Sequence, residues 1–91
     1  MKFQWDPQKA SKNLARHGIP FREASTVFGD PLATTILDPD HSLHETRFLT
    51  IGRSTAGRVI VVSHTDRGDE VRIISARPGT RVEKKRYEQD S

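Results

Sequence analysis

The chain has 91 residues, 33% of them apolar and 30% charged, with a net charge of +3 and no cysteine. That allows one compact domain, residues 1–91, with a modest core near the margin of stability, and excludes a disulfide framework or a thiolate zinc site. No apolar run approaches the roughly 18 residues of a membrane span, and the opening Met1-Lys2-Phe3-Gln4-Trp5-Asp6 has no signal-peptide core, so a cytoplasmic protein without a membrane is expected.

Residues 2–5 read as a short strand. Asp6 is a good N-cap and Pro7 fits the first helical position, so a helix is predicted to about His17, with Gly18 as its left-handed stop. Its apolar stripe (Ala10, Leu14, Ala15) is thin, and the helix must lean on something else. Pro20 opens a second helix in which Phe21, Ala24, Val27 and Phe28 share a face, and Gly29-Asp30-Pro31 ends it.

Strands follow. Residues 33–38 are β-rich, Pro39-Asp40-His41-Ser42 breaks them, and residues 45–52 alternate. Residues 58–65 and 70–77 carry the β-branched runs Val59-Ile60-Val61-Val62 and Val71-Arg72-Ile73-Ile74. Ser54-Thr55-Ala56-Gly57 and Asp66-Arg67-Gly68-Asp69 are hairpin-length loops. Thr80 and Glu83 match a capping box that starts a last helix through Tyr87, with a frayed tail over 88–91. The order β-α-α-β-β-β-β-α predicts an α+β fold, helices on a twisted antiparallel sheet of four to five strands.

Charge is uneven. Residues 20–46 hold one base and five acids, whereas residues 67–86 hold seven bases and three acids. Arginine outnumbers lysine ten to five, and it is the better residue for bidentate phosphate contacts and base stacking. His41 and His44 stand three apart in a loop with no third ligand placed, so they read as solvated histidines and no metal or cofactor is expected. There is no phosphate-binding glycine loop and no nucleophile elbow.

The basic half remains. His64 and Arg77 end strands, Arg67 lies in a turn and Arg81 opens the last helix, so these residues are expected to converge at one edge of the sheet. Metal-free RNA cleavage needs a base for the ribose 2′-OH, a cation for the phosphorane and an acid for the leaving oxygen, which His, Arg and Glu can supply. Glu70 is a candidate base, although simple alternation puts it on the face opposite Arg77 unless a bulge or twist re-aims one of them. Glu83 is better explained by its capping box.

Phe3-Gln4-Trp5-Asp6 with Lys12-Asn13-Leu14-Ala15-Arg16-His17-Gly18-Ile19 resembles the opening of the BrnT family of ribonuclease toxins. So do Phe21, Ala24 and Phe28, and Glu45-Thr46-Arg47-Phe48 leading to Ile51-Gly52. The most specific part is Thr65-Asp66-Arg67-Gly68-Asp69 with Arg72-Ile73-Ile74-Ser75-Ala76-Arg77, and Arg81, Glu83, Arg86 and Tyr87 close the pattern. Two departures stand out: His64 occupies a position where relatives often carry an aromatic such as Tyr, and Pro78-Gly79 replaces a less constrained pair.

The resemblance implies a RelE-like fold with two N-terminal helices and one C-terminal helix. It implies a ribonuclease toxin of a type II toxin–antitoxin pair that stops translation and growth. Its expected partner is a BrnA-type ribbon-helix-helix antitoxin, two of each chain, with operator DNA reached only through the antitoxin. Carried over, the active positions are Arg67, Arg77 and Arg81, with Glu70 and His64 as companions. The acidic stretch 30–45 and the first helix are both candidates for the antitoxin contact, and a basic face would attract an acidic inhibitory segment. The rival expectation is a non-catalytic nucleic-acid-binding module, or a decayed toxin kept for antitoxin pairing.

Overall fold

The computed structural model describes residues 1–40 and 45–90; His41 and His44 lie outside the described residues. The elements are β1 (Lys2–Gln4), α1 (Pro7–His17), α2 (Phe21–Thr26), a 3-10 turn (Val27–Gly29), β2 (Thr34–Leu37), β3 (Phe48–Arg53), β4 (Val59–Arg67), β5 (Glu70–Pro78) and α3 (Arg81–Asp90). The order matches the expected α+β arrangement. Three details differ. The second helix tightens to 3-10 geometry after Thr26, β4 runs on past Thr65 to Arg67, and α3 carries the tail in helix through Asp90.

The five strands are ordered β1-β5-β4-β3-β2. Four of them form the antiparallel meander, but β1 pairs in parallel with β5, Lys2 opposite Glu70 and Gln4 opposite Arg72. The sheet is therefore mixed rather than wholly antiparallel: α1 and α2 return the chain so that β1 lies beside the last strand, a long-range pairing that local pattern does not encode. Gly68, at φ +62°, opens the two-residue turn between β4 and β5, a conformation that glycine adopts without strain.

Two helices cover one face of the sheet. Ile19, Phe21, Ala24 and Val27 pack against Ile60, Val62, Ile73 and Ala76, and Phe3, Trp5 and Phe28 close the edges. Trp5 meets Phe21 edge-on with ring centroids 6.0 Å apart. The α2 side comes so near the sheet that a Cβ on Gly52 would lie 2.8 Å from Val27 Cγ1 and 2.9 Å from Ala33 Cβ.

α1 is held differently. Its caps are as expected, with Asp6 accepting from the Gln8 amide and Gly18 at φ +70°. Leu14 is 50% exposed, however, and Ala15 is exposed as well. What α1 leans on is Asn13. This buried carboxamide donates to Ile19 O at 3.0 Å and Ala76 O at 2.9 Å, and accepts from Ala76 N at 3.0 Å.

Candidate functional site

A bulge decides which side chains of β5 share a face. Ser63 pairs with Ser75 but His64 pairs with Ile73, so β5 holds one extra residue. As a result Val71, Ile73 and Ala76 all enter the helix-covered core. Glu70, Arg72, Ser75 and Arg77 fall together on the opposite face. Plain alternation would have separated Glu70 from Arg77; the bulge puts them on one side.

It does not bring them into contact. Seven residues separate the two along the strand, about 23 Å at the usual rise. Arg67 lies directly across from Glu70, whereas Arg77 and Arg81 belong to the other end of the strand. The expected convergence of His64, Arg67, Arg77 and Arg81 at one edge is thus replaced by two clusters joined by a polar track. Arg67 and Glu70 flank the hairpin turn, whereas Arg77 lies at the open end, paired with Val61.

At the first end, Gln4, Thr65, Arg67, Glu70 and Arg72 share the face. Gln4 Nε2 donates to Glu70 Oε2. Arg67 and Arg72 make no side-chain hydrogen bond or ion pair among the described residues, and Thr65, the partner of Arg72 in the ladder, has a buried hydroxyl with no hydrogen-bond partner there. Two guanidinium groups with no carboxylate partner among the described residues favour an anionic ligand. Gln4, Thr65 and Arg72 were not among the sequence candidates; with the β1–β5 pairing unknown, only the alternation of Glu70 with Arg72 pointed toward any of them.

At the second end, Arg77 holds Glu83 with both prongs, Nη1 to Oε1 at 2.7 Å and Nη2 to Oε2 at 3.0 Å. The capping box forms as expected: the Thr80 amide donates to Glu83 Oε1 at 2.8 Å and the Glu83 amide to Thr80 Oγ1 at 3.1 Å. The Arg77 hydrogen bonds, assisted by the Thr80 amide, outweigh partial burial and hold the Glu83 carboxyl at about 2. Glu83 is therefore a fixed anion and not a proton donor near neutrality. Arg81, one turn away, is exposed and has no side-chain partner among the described residues.

A stability prediction follows from the sign of that shift. The folded-state value lies below the ordinary 4.5, so the stabilisation is complete above pH 4.5 and is lost as pH falls toward 2. With both partners partly solvated it amounts to about 1 kcal/mol. An acid titration followed by denaturant melts is expected to show this loss in the native chain and not in Glu83→Gln, which lacks the charge at every pH.

His64 belongs to neither cluster. It is 1% exposed, on the helix-covered face, edge-on to Phe28 and stacked on Phe48 with centroids 4.9 and 5.8 Å away. Nδ1 faces Asp66 Oδ1 at 2.8 Å and Nε2 faces Thr50 Oγ1 at 2.7 Å; Thr50 in turn meets Thr35 Oγ1 at 2.7 Å. This chain of polar atoms satisfies the buried imidazole and ties β4 to β3 and β2. His64 follows Ile60 and Val62 inward, which places this polar residue away from solvent.

α3 crosses the outer face from Arg77 toward the other side of the sheet. Its far end is fixed by Tyr87, whose hydroxyl donates to Asp30 Oδ2 at 2.5 Å and whose ring lies under Arg53, 5.6 Å from the guanidinium carbon. Burial pushes the Asp30 carboxyl up, but hydrogen bonds from Tyr87 and the Arg53 and Leu32 amides outweigh it and leave it low. No helix among the described residues is long and apolar enough to cross a membrane.

Comparison with known proteins agrees with this architecture. No curated protein sequence matches the chain. The crystal structure of the Brucella abortus ribonuclease toxin BrnT superposes with a TM-score of 0.65 at 24% identity, covering 89% of this chain and 99% of that one, a likeness of fold. The family described as ribonuclease toxin, BrnT, of type II toxin–antitoxin systems matches residues 5–83. With that match spanning most of its length, the chain belongs to the BrnT family of ribonuclease toxins.

Proposed function

We propose that this chain is a metal-independent endoribonuclease that works in the cytoplasm, cutting RNA and so inhibiting translation and growth. The observation that carries the reading is the polar track on the outer face of β5, with a carboxylate and unpaired arginines at one end and Arg77 with Arg81 at the other. An extended RNA strand lies along it. Glu70, oriented by Gln4, takes the ribose 2′-OH proton; the 2′-oxygen attacks phosphorus, and Arg67 with Arg72 offsets the charge of the phosphorane. The 5′-oxygen leaves with a proton from water, giving a 2′,3′-cyclic phosphate and a 5′-hydroxyl. Arg77 and Arg81 hold flanking phosphates, and His64 acts only by fixing the β3–β4 framework.

The proposal includes a BrnA-type ribbon-helix-helix antitoxin, two copies of each chain, through which alone the pair reaches operator DNA. The family supports an antitoxin partner.

The test is an RNase assay with the purified chain in EDTA, with the product ends identified. Cyclic phosphate ends are expected, and Arg81→Ala is expected to weaken RNA binding and lower its salt slope by about 1. RNA that is bound yet intact after hours would favour the non-catalytic module; cleavage abolished by EDTA would overturn metal independence.

A further inference from the structure

Among the described residues, strand β2 is a sheet edge paired with β3 on one side only, and all four of its residues are exposed. Such edges ordinarily carry Lys, Pro or an inward charge that discourages pairing. Thr34-Thr35-Ile36-Leu37 carries none. Ile36 is 50% exposed and, on α3 beside it, Val82 is 67% exposed. Between strand and helix runs a groove of about 230 Å³, lined by Thr34, Ile36 and Ile51 from the sheet and by Val82, Glu83, Arg86 and Tyr87 from α3. Free backbone groups thus adjoin an apolar trough, the arrangement that accepts an added strand.

The charge at the rim selects the occupant. Glu83 is already neutralised by Arg77, whereas Arg86, on the groove, has no side-chain partner among the described residues and leaves the rim positive. A second copy pairing through the same edge would set two Arg86 side chains along one seam, in chains that each carry a net charge of +3. An acidic partner meets no such repulsion.

We infer that the β2–α3 groove is the antitoxin-docking surface, and that it takes an extended acidic and apolar antitoxin segment as a sixth strand beside β2. Alternate apolar side chains of that segment enter against Ile36 and Val82, and a carboxylate meets Arg86. This places the contact away from α1 and on the side of the acidic 30–45 stretch where β2 lies. It rests on the antitoxin reading above.

The chain is co-expressed with the antitoxin encoded beside it, and the complex is purified. Ile36→Asp, Val82→Asp and Arg86→Glu are compared after circular dichroism confirms that each folds. Expected are at least tenfold weaker complexes for all three, unchanged cleavage of RNA by the free variants Ile36→Asp and Val82→Asp, and slowed amide exchange at residues 34–37 in the native complex. Two variants on α3 keep the test open if Ile36→Asp fails to fold. A native complex that all folded variants form equally well overturns the docking surface and leaves the antitoxin reading standing. If the native chain forms no complex with that protein, both fail together. A native chain that is instead dimeric alone, and is made monomeric by the same substitutions, assigns the groove to a second copy and overturns the partner named here.

Discussion

Asn13→Ala is expected to lower the stability of the chain by about 3 kcal/mol, read as a shift in the urea midpoint. The side chain is buried and makes three hydrogen bonds to backbone, to Ile19 O, Ala76 O and Ala76 N. Removing it strands those groups in a place that water does not reach, and each unsatisfied group costs about 1–3 kcal/mol. Against a typical total of about 5–15 kcal/mol for a domain, that is a large fraction. Asn13→Asp should be no better, because a carboxylate cannot donate to the two carbonyls. A loss under about 1 kcal/mol would mean that α1 is held by its few apolar contacts after all.

Glu70→Gln is expected to reduce RNA cleavage by about 10²–10⁴-fold while leaving RNA affinity and the fold intact. The amide keeps the shape and can still accept from Gln4, so what it removes is the capacity to take a proton. Arg67→Ala should lower the cleavage rate as well, by an amount typical of a lost charge-stabilising donor, about 10²–10³-fold. Arg81→Ala, at the other end, should act on binding with little effect on the rate at saturating RNA. Full activity in folded Glu70→Gln would remove the base from the proposed mechanism, and equal losses in rate from both ends would argue against the division of roles.

Much of the architecture is legible in local chemistry. Asp6, Pro7 and Gly18 mark α1, Thr80 and Glu83 mark the start of α3, and the β-branched runs mark β4 and β5. These signals work because each depends on neighbours within one turn or one strand. The site is less legible, since it depends on contacts between distant residues. The parallel partner of β5 is β1, 68 residues away in sequence, and it supplies Gln4. The extra residue near Ser63 and His64 has no glycine or proline to mark it, yet it reverses the facing of everything beyond it on β5. Asn13 sits in a helix whose apolar pattern is weak, and its polarity gave no hint that it would be the buried anchor. His64 looked available because it stands near a turn; the aromatic rings of Phe28 and Phe48 close over it.

The attachment of α3 sets how that helix comes loose. It is clasped at one end by Arg77 and Glu83 and at the other by Tyr87, Asp30 and Arg53, while its Val82 stays open to solvent. Releasing both clasps also uncovers Val59 and Val61, buried on that outer face, so detachment should respond to urea as well as to acid and ionic strength. The core under α1 and α2 lies on the opposite face, so a molecule that seats on the open side of α3 would act on the two clasps and on Val59 and Val61 without touching that core.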